Sequence, residues 1–186
     1  MNGEGTAGVL QTVNDALGGE ELTNASDFTA FLIENGMRFE RGGGYWEDKI
    51  YWCVDHRGES VCYILLEDGA WTVWSDDSGI NSYEGASLSE DMMKIAWSHL
   101  AICENDERCF DGCARKRKIF FGKEFDNVCG TSMKFRNPNG EEVECLKRLM
   151  MIRVDSITGG FHAVCSFPDA VKVMETVMEL SKKLKT

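Results

Sequence analysis

Between Tyr45 and Ser75 the chain is dense in aromatic and β-branched residues, broken only by the turn-prone pairs Arg57-Gly58 and Asp68-Gly69. Side chains alternate faces along a strand, and a glycine-containing pair lets the chain reverse within two residues, so an antiparallel meander is the simplest reading. Strands are expected over 45–55, 60–66 and 70–75, with a shorter one near 37–39 ahead of the Gly42-Gly43-Gly44 break. A two-residue loop at Arg57-Gly58 pairs His56 with Glu59 and sets Cys53 opposite Cys62, at the near edge of disulfide geometry. A loop longer by one residue separates them.

Helical spacing surrounds this core. Val9, Leu10, Val13 and Leu17 suit a short helix over 7–17 stopped by Gly18-Gly19. A second helix is expected from Ser26 or Asp27, with Phe28, Phe31 and Leu32 on one face and Gly36 in the left-handed cap. Ser87-Leu88-Ser89-Glu90 matches a capping box, opening a helix over 88–102 that carries Met92, Ile95, Ala96 and His99. Short strands are read at 118–121 and 132–137, a turn at Asn137-Pro138-Asn139-Gly140 and a helix over 141–153. An edge strand near 161–165 and a last helix from Pro168 complete the chain. The expected class is α+β: an antiparallel sheet of about five strands, with helices packed mainly on one face, in a single domain over 1–186.

A chain of 186 residues, 43% of them hydrophobic, can bury a core without disulfide staples. The excess of 31 acidic over 20 basic side chains repels phosphate backbones, so nucleic acid is an unlikely partner. No stretch approaches the roughly 20 apolar residues of a membrane helix, and Met1 to Thr6 show no positive run leading into an apolar one. A cytoplasmic protein, with no membrane partner, is expected. Thiols in that compartment stay reduced or bind metal.

Five of the eight cysteines fall between His99 and Cys145. Cys103, Cys109, Cys113 and Cys129 supply the count of soft ligands that tetrahedral zinc requires, with His99 as a substitute for one of them. Their spacings of five, three and fifteen intervening residues are looser than paired CxxC knuckles. Zinc is the candidate cofactor, and the cysteine-rich loop over 103–129 is expected as an insertion between the central helix and later strands. Arg115, Lys116, Arg117 and Lys118 follow directly; such a run can lower thiolate pKa values or meet a phosphate, and is otherwise a solvated segment. In Phe121-Gly122-Lys123-Glu124-Phe125-Asp126 an ammonium neighbours two carboxylates, but a turn of alternating phenylalanines and charges explains the pattern without acid/base chemistry. His56, His99 and His162 are dispersed, and no nucleophile motif or phosphate-binding glycine loop occurs.

Ile95-Ala96-Trp97, the cysteine-rich loop, the run from Ile119 to Cys129, Asn137-Pro138 and Glu144-Cys145-Leu146-Lys147 together resemble a family of small uncharacterised bacterial proteins. The resemblance spans roughly residues 92–150 and is most specific in Phe-Gly-Lys-Glu-Phe. It implies that the loop is a unit, and implies no activity and no catalytic residue.

Trp46, Trp52, Tyr63, Trp71 and Trp74 crowd the expected sheet, where aromatic rings either fill a core or line a ligand pocket. The function this favours is a non-catalytic domain that binds or senses a small molecule, with a cysteine-rich, zinc-supported loop. Two other classes stay open. One is a thiol-based redox sensor or enzyme using Cys103, Cys109 or Cys113; the other is a protein-interaction domain without a pocket. The sequence sets no oligomeric state.

Overall fold

A computed structural model describes residues 2–43, 49–67, 69–75, 82–102 and 116–159. Helices α1 (Asn2–Ala16) and α2 (Gly19–Glu34) lead into strands β1 (Arg38–Arg41), β2 (Ile50–His56), β3 (Glu59–Glu67) and β4 (Ala70–Ser75). Helix α3 (Glu90–Ser98) is followed by β5 (Leu100–Ile102), β6 (Lys116–Phe120), β7 (Lys123–Arg136) and α4 (Gly140–Thr158). The strands run in the order β1-β2-β3-β4-β7-β5, with β6 also on β7, and every pairing is antiparallel. The α+β class is as expected, but the described residues hold seven strands rather than about five. The expected strand near 161–165 and helix from Pro168 lie outside them.

Two local events depart from the expected element order. Helix α3 stops at Ser98 instead of running to 102, because His99 leaves helical hydrogen bonding and Leu100 pairs with Met133 on β7. Residues 123–136, read as a turn and a later short strand, form one 14-residue strand. Asn127 accommodates this with φ 59, a backbone state asparagine tolerates better than most residues.

Helices α3 and α4 start on side-chain caps, whereas α2 starts after Gly18 without one. Ser89, rather than Ser87, accepts the Met92 amide at 3.4 Å. Asn139 and Glu142 close a reciprocal capping box at the start of α4, at 3.0 and 2.8 Å. Helix α2 begins at Gly19, seven residues before Ser26, with Glu20 and Glu21 in its first turn facing the positive helix end. Gly36 takes the expected left-handed conformation, φ 72.

The β2–β3 turn forms as expected, with His56 paired to Glu59 and Arg57 and Gly58 both at positive φ. A bulge between Val54 and Asp55 then shifts the register, pairing Cys53 with Tyr63 and Val54 with Cys62. A slip of one residue sends a side chain to the opposite face. Cys62 is thus buried on one face, Cys53 is half-buried on the other, and neither forms a disulfide.

That register sorts the whole sheet. Phe39, Val54, Cys62 and Ser75 form one cross-strand row, and Trp52, Ile64, Val73 and Phe135 the next; all are buried. Helix packing falls on this inner face. Phe28 of α2 meets Trp71 with ring centroids 6.1 Å apart. At Gly8 of α1 a Cβ would come within 2.6 Å of the Trp52 indole, so a glycine there lets the helix lie against the ring. Burying each such aromatic side chain contributes about 1.5–3 kcal/mol.

Arg153 of α4 is 2% exposed. Its Nε and Nη2 donate to the Ser60 carbonyl at 3.2 and 3.0 Å, and its Nη1 to the Ser82 hydroxyl at 3.2 Å, fastening α4 to the start of β3. A lysine carries the charge but not the planar fork. Arg153→Lys is expected to lower unfolding stability by about 2 kcal/mol in urea titration; an unchanged midpoint and slope would show that the fork contributes nothing.

Candidate functional site

The outer face of the sheet carries a second cross-strand row: Glu40, Cys53, Tyr63, Trp74 and Lys134, one residue from each of β1, β2, β3, β4 and β7. Lys134 Nζ sits 4.9 Å from the centroid of the Trp74 ring, a cation–π distance. At the β1 end, Arg38, Glu40, Cys53, Asp55, Ser60 and Tyr63 line a depression of about 280 Å³.

Its charges are arranged unevenly. Arg38 donates from Nε at 3.1 Å and Nη2 at 2.6 Å to Oδ1 of Asp55, and the Gly58 amide donates to the same oxygen at 3.1 Å. The tight Arg57-Gly58 turn delivers that amide. Glu40 forms no ion pair among the described residues, although Arg38 lines the same depression. The Ser60 hydroxyl is buried without a hydrogen-bond partner. Burial, and then the carboxylates of Glu40 and Asp55, raise the Cys53 thiol above its ordinary range. A nucleophilic cysteine needs the reverse shift.

The five aromatic candidates divide between faces. Trp52 and Trp71 are buried on the inner face against α1 and α2, while Tyr63 and Trp74 are cross-strand neighbours on the outer face. Trp46 lies outside the described residues. Arg38, Glu40, Asp55 and Ser60 were not singled out from sequence. Their signal was a charged residue at alternate positions of two strands, which converges only once the bulge sets the register.

The metal candidates are less connected. Cys103, Cys109 and Cys113 lie outside the described residues. The His99 carbonyl accepts from the Lys134 amide at 2.8 Å, and Cys129 lies five positions before Lys134 on β7, across the irregularity that sets Leu100 against Met133 and Ile102 against Val128. Zinc ligands must all approach within about 2.0–2.3 Å of one ion. Both His99 ring nitrogens already face acceptors, Glu142 Oε1 at 2.9 Å and the Lys134 carbonyl at 3.2 Å, and the ring stacks on Phe135 at 4.1 Å. Among the described residues no group of three or more His, Cys, Asp or Glu side chains could hold a metal.

The described part of the expected cysteine loop, residues 116–129, is a β-hairpin that turns at Phe121-Gly122. Lys123 Nζ lies 4.9 Å from the Trp97 and Phe125 rings, whereas Glu124 and Asp126 pair with Arg117 at 2.6 and 3.1 Å. The ammonium and the carboxylates thus have separate partners, as the turn reading requires and acid/base chemistry does not. No described helix is long and apolar enough to cross a membrane. No family model, curated protein or solved structure matches the chain.

Cys145 of α4 is buried, donates to the Met92 carbonyl at 3.5 Å, and is pushed up to about 12 from 9.0 by burial and then by Glu142. The unfolded thiol ionises near 9 and the folded one only near 12, so its contribution is complete below pH 9 and is lost as pH rises from 9 to 12. Unfolding free energy measured across that window should fall less steeply in Cys145→Ala, by up to about 1.4 kcal/mol per pH unit. Equal slopes in the two proteins would refute the assignment.

Proposed function

We propose that this chain is a non-catalytic domain that binds or senses a small molecule on the outer face of its sheet, at the depression beside Tyr63 and Trp74. The observation that supports this reading is the depression itself, where charged, hydroxyl and aromatic groups from three strands converge on a rigid sheet. Its volume of about 280 Å³ lies at the small end for ligand sites, which favours a compact ligand. The raised Cys53 and Cys145 thiols argue against nucleophilic chemistry at those two cysteines.

Trp52 and Trp71 serve the core in this reading, leaving Tyr63 and Trp74 as the aromatic contacts. Zinc support through Cys103, Cys109, Cys113 and Cys129 stays within the proposal on their number and ligand type. Its readout is separate: metal content of reduced protein, with thiols unmasked by a chelator.

The binding reading is tested by ligand-induced thermal shift across metabolite classes. At least one class should raise the midpoint of the natural protein by several degrees and leave Tyr63→Ala unshifted, as expected for a ligand that binds only the folded state. Stabilisation by no class would overturn the reading, as would equal stabilisation of both proteins.

A further inference from the structure

Two positions along the strands from Cys53, Tyr63 and Trp74, the outer face carries another cross-strand row: Tyr51 of β2, Leu65 of β3 and Thr72 of β4. These side chains are 4, 2 and 5% exposed. An antiparallel sheet with one face in water leaves its outward side chains solvated, so this row has a cover. The described helices lie on the other side: α1 and α2 pack on the inner face, α4 on α2, and α3 on α4. Nor does the row shelter itself. The Tyr51 ring leans toward β1, where a Cβ on Gly42 would run into it, whereas Leu65 on the middle strand is the least exposed of the three. This burial is a property of a single chain, so what shelters the row is a further part of the same chain.

We propose that residues 168–184 dock on the row Tyr51, Leu65 and Thr72, so that the sheet is covered on both faces. The inference goes beyond the ligand reading, because it concerns the next row along the strands and stands on its own contacts. Val171, Met174, Val177 and Met178 recur at three- and four-residue spacing, the pattern of a helix with one apolar stripe, while Lys172, Glu175, Thr176 and Glu179 fall between them. From Val171 to Met178 such a stripe runs roughly 10 Å. The distance from β2 across β3 to β4 is also roughly 10 Å. Among the other segments outside the described residues, 76–81 and 103–115 are predominantly polar, and 44–48 are tied at both ends beside Tyr51.

The connection also reaches. Arg153 and Ser156 place the last turns of α4 beside Ser60 and Ser82, and Gly159 ends the helix in the left-handed conformation. Residues 160–167 can span up to roughly 26 Å, more than the roughly 10 Å between packed layers.

The test is a methyl NOE experiment on the full chain, labelled at leucine, isoleucine, valine, methionine and threonine methyl groups. Contacts from Leu65 and Thr72 to Met174 or Met178 are expected, and a mixture of differently labelled chains shows whether they arise within one chain. Combining Met174→Asp with Met178→Asp puts two carboxylates on the docking stripe. The Leu65 and Thr72 signals should then shift and lose those contacts, while Ile64 and Val73 on the inner face keep their positions. Should the inner-face signals collapse, the variant has not folded and the contacts in the natural protein decide alone. Contacts from Leu65 to residues 44–48 in place of 168–184, contacts that arise between two chains, or Leu65 and Thr72 signals unmoved in the folded double variant would each overturn the proposal.

Discussion

Strand β7 hydrogen-bonds to three others: its end at 134–136 pairs with β4, Met133 with Leu100 of β5, and Lys123 to Val128 with β6. Val128 pairs with Ile102 and with Lys116, so β5 and β6 flank it on opposite edges. A single strand thereby joins the meander to the hairpin and to the end of α3. Its inner side chains, Met133 and Phe135, are fully buried, so the pairing is backed by the core. His99 adds a second tie, stacking on Phe135 while its ring reaches Glu142 at the capping box of α4. Sheet, α3 and α4 thus meet around one short segment of β7.

The parts legible in the sequence were those decided within a few residues. The Arg57-Gly58 turn, the left-handed Gly36, and the turn before α4 depend on local backbone preferences, which composition displays. The parts that were not legible depend on a distant partner. Nothing between Leu88 and Ile102 announces that the helix ends at Ser98; the reason lies more than thirty residues away, in β7. Likewise the bulge at Val54 and Asp55 leaves no composition signal, yet it decides that Cys53 faces Tyr63 and not Cys62.

The same bulge separates core from candidate site. Trp52 and Trp71 looked no different in sequence from Tyr63 and Trp74, since all four occupy aromatic-rich strands. Only alternation counted from the correct register assigns the first two to the helices and the second two to the outer row. The polar and charged residues around Tyr63 were invisible as a group for the same reason: Arg38 and Glu40 come from β1, Asp55 and Ser60 from either side of a turn.

What the outer row contributes to folding bears on the binding reading proposed for it. Exposed ion pairs such as Arg38 with Asp55 stabilise a fold by only about 0–1 kcal/mol, because water competes for both charges. The inner rows, fully buried and packed on three helices, supply far more per residue. A buried hydroxyl without a partner, as at Ser60, costs stability instead. Around Arg38, Glu40 and Asp55 the outer row therefore holds charged groups that contribute little to folding, on strands backed by the core. Groups held in position by such strands lose little entropy on meeting a ligand, which favours the binding reading proposed above.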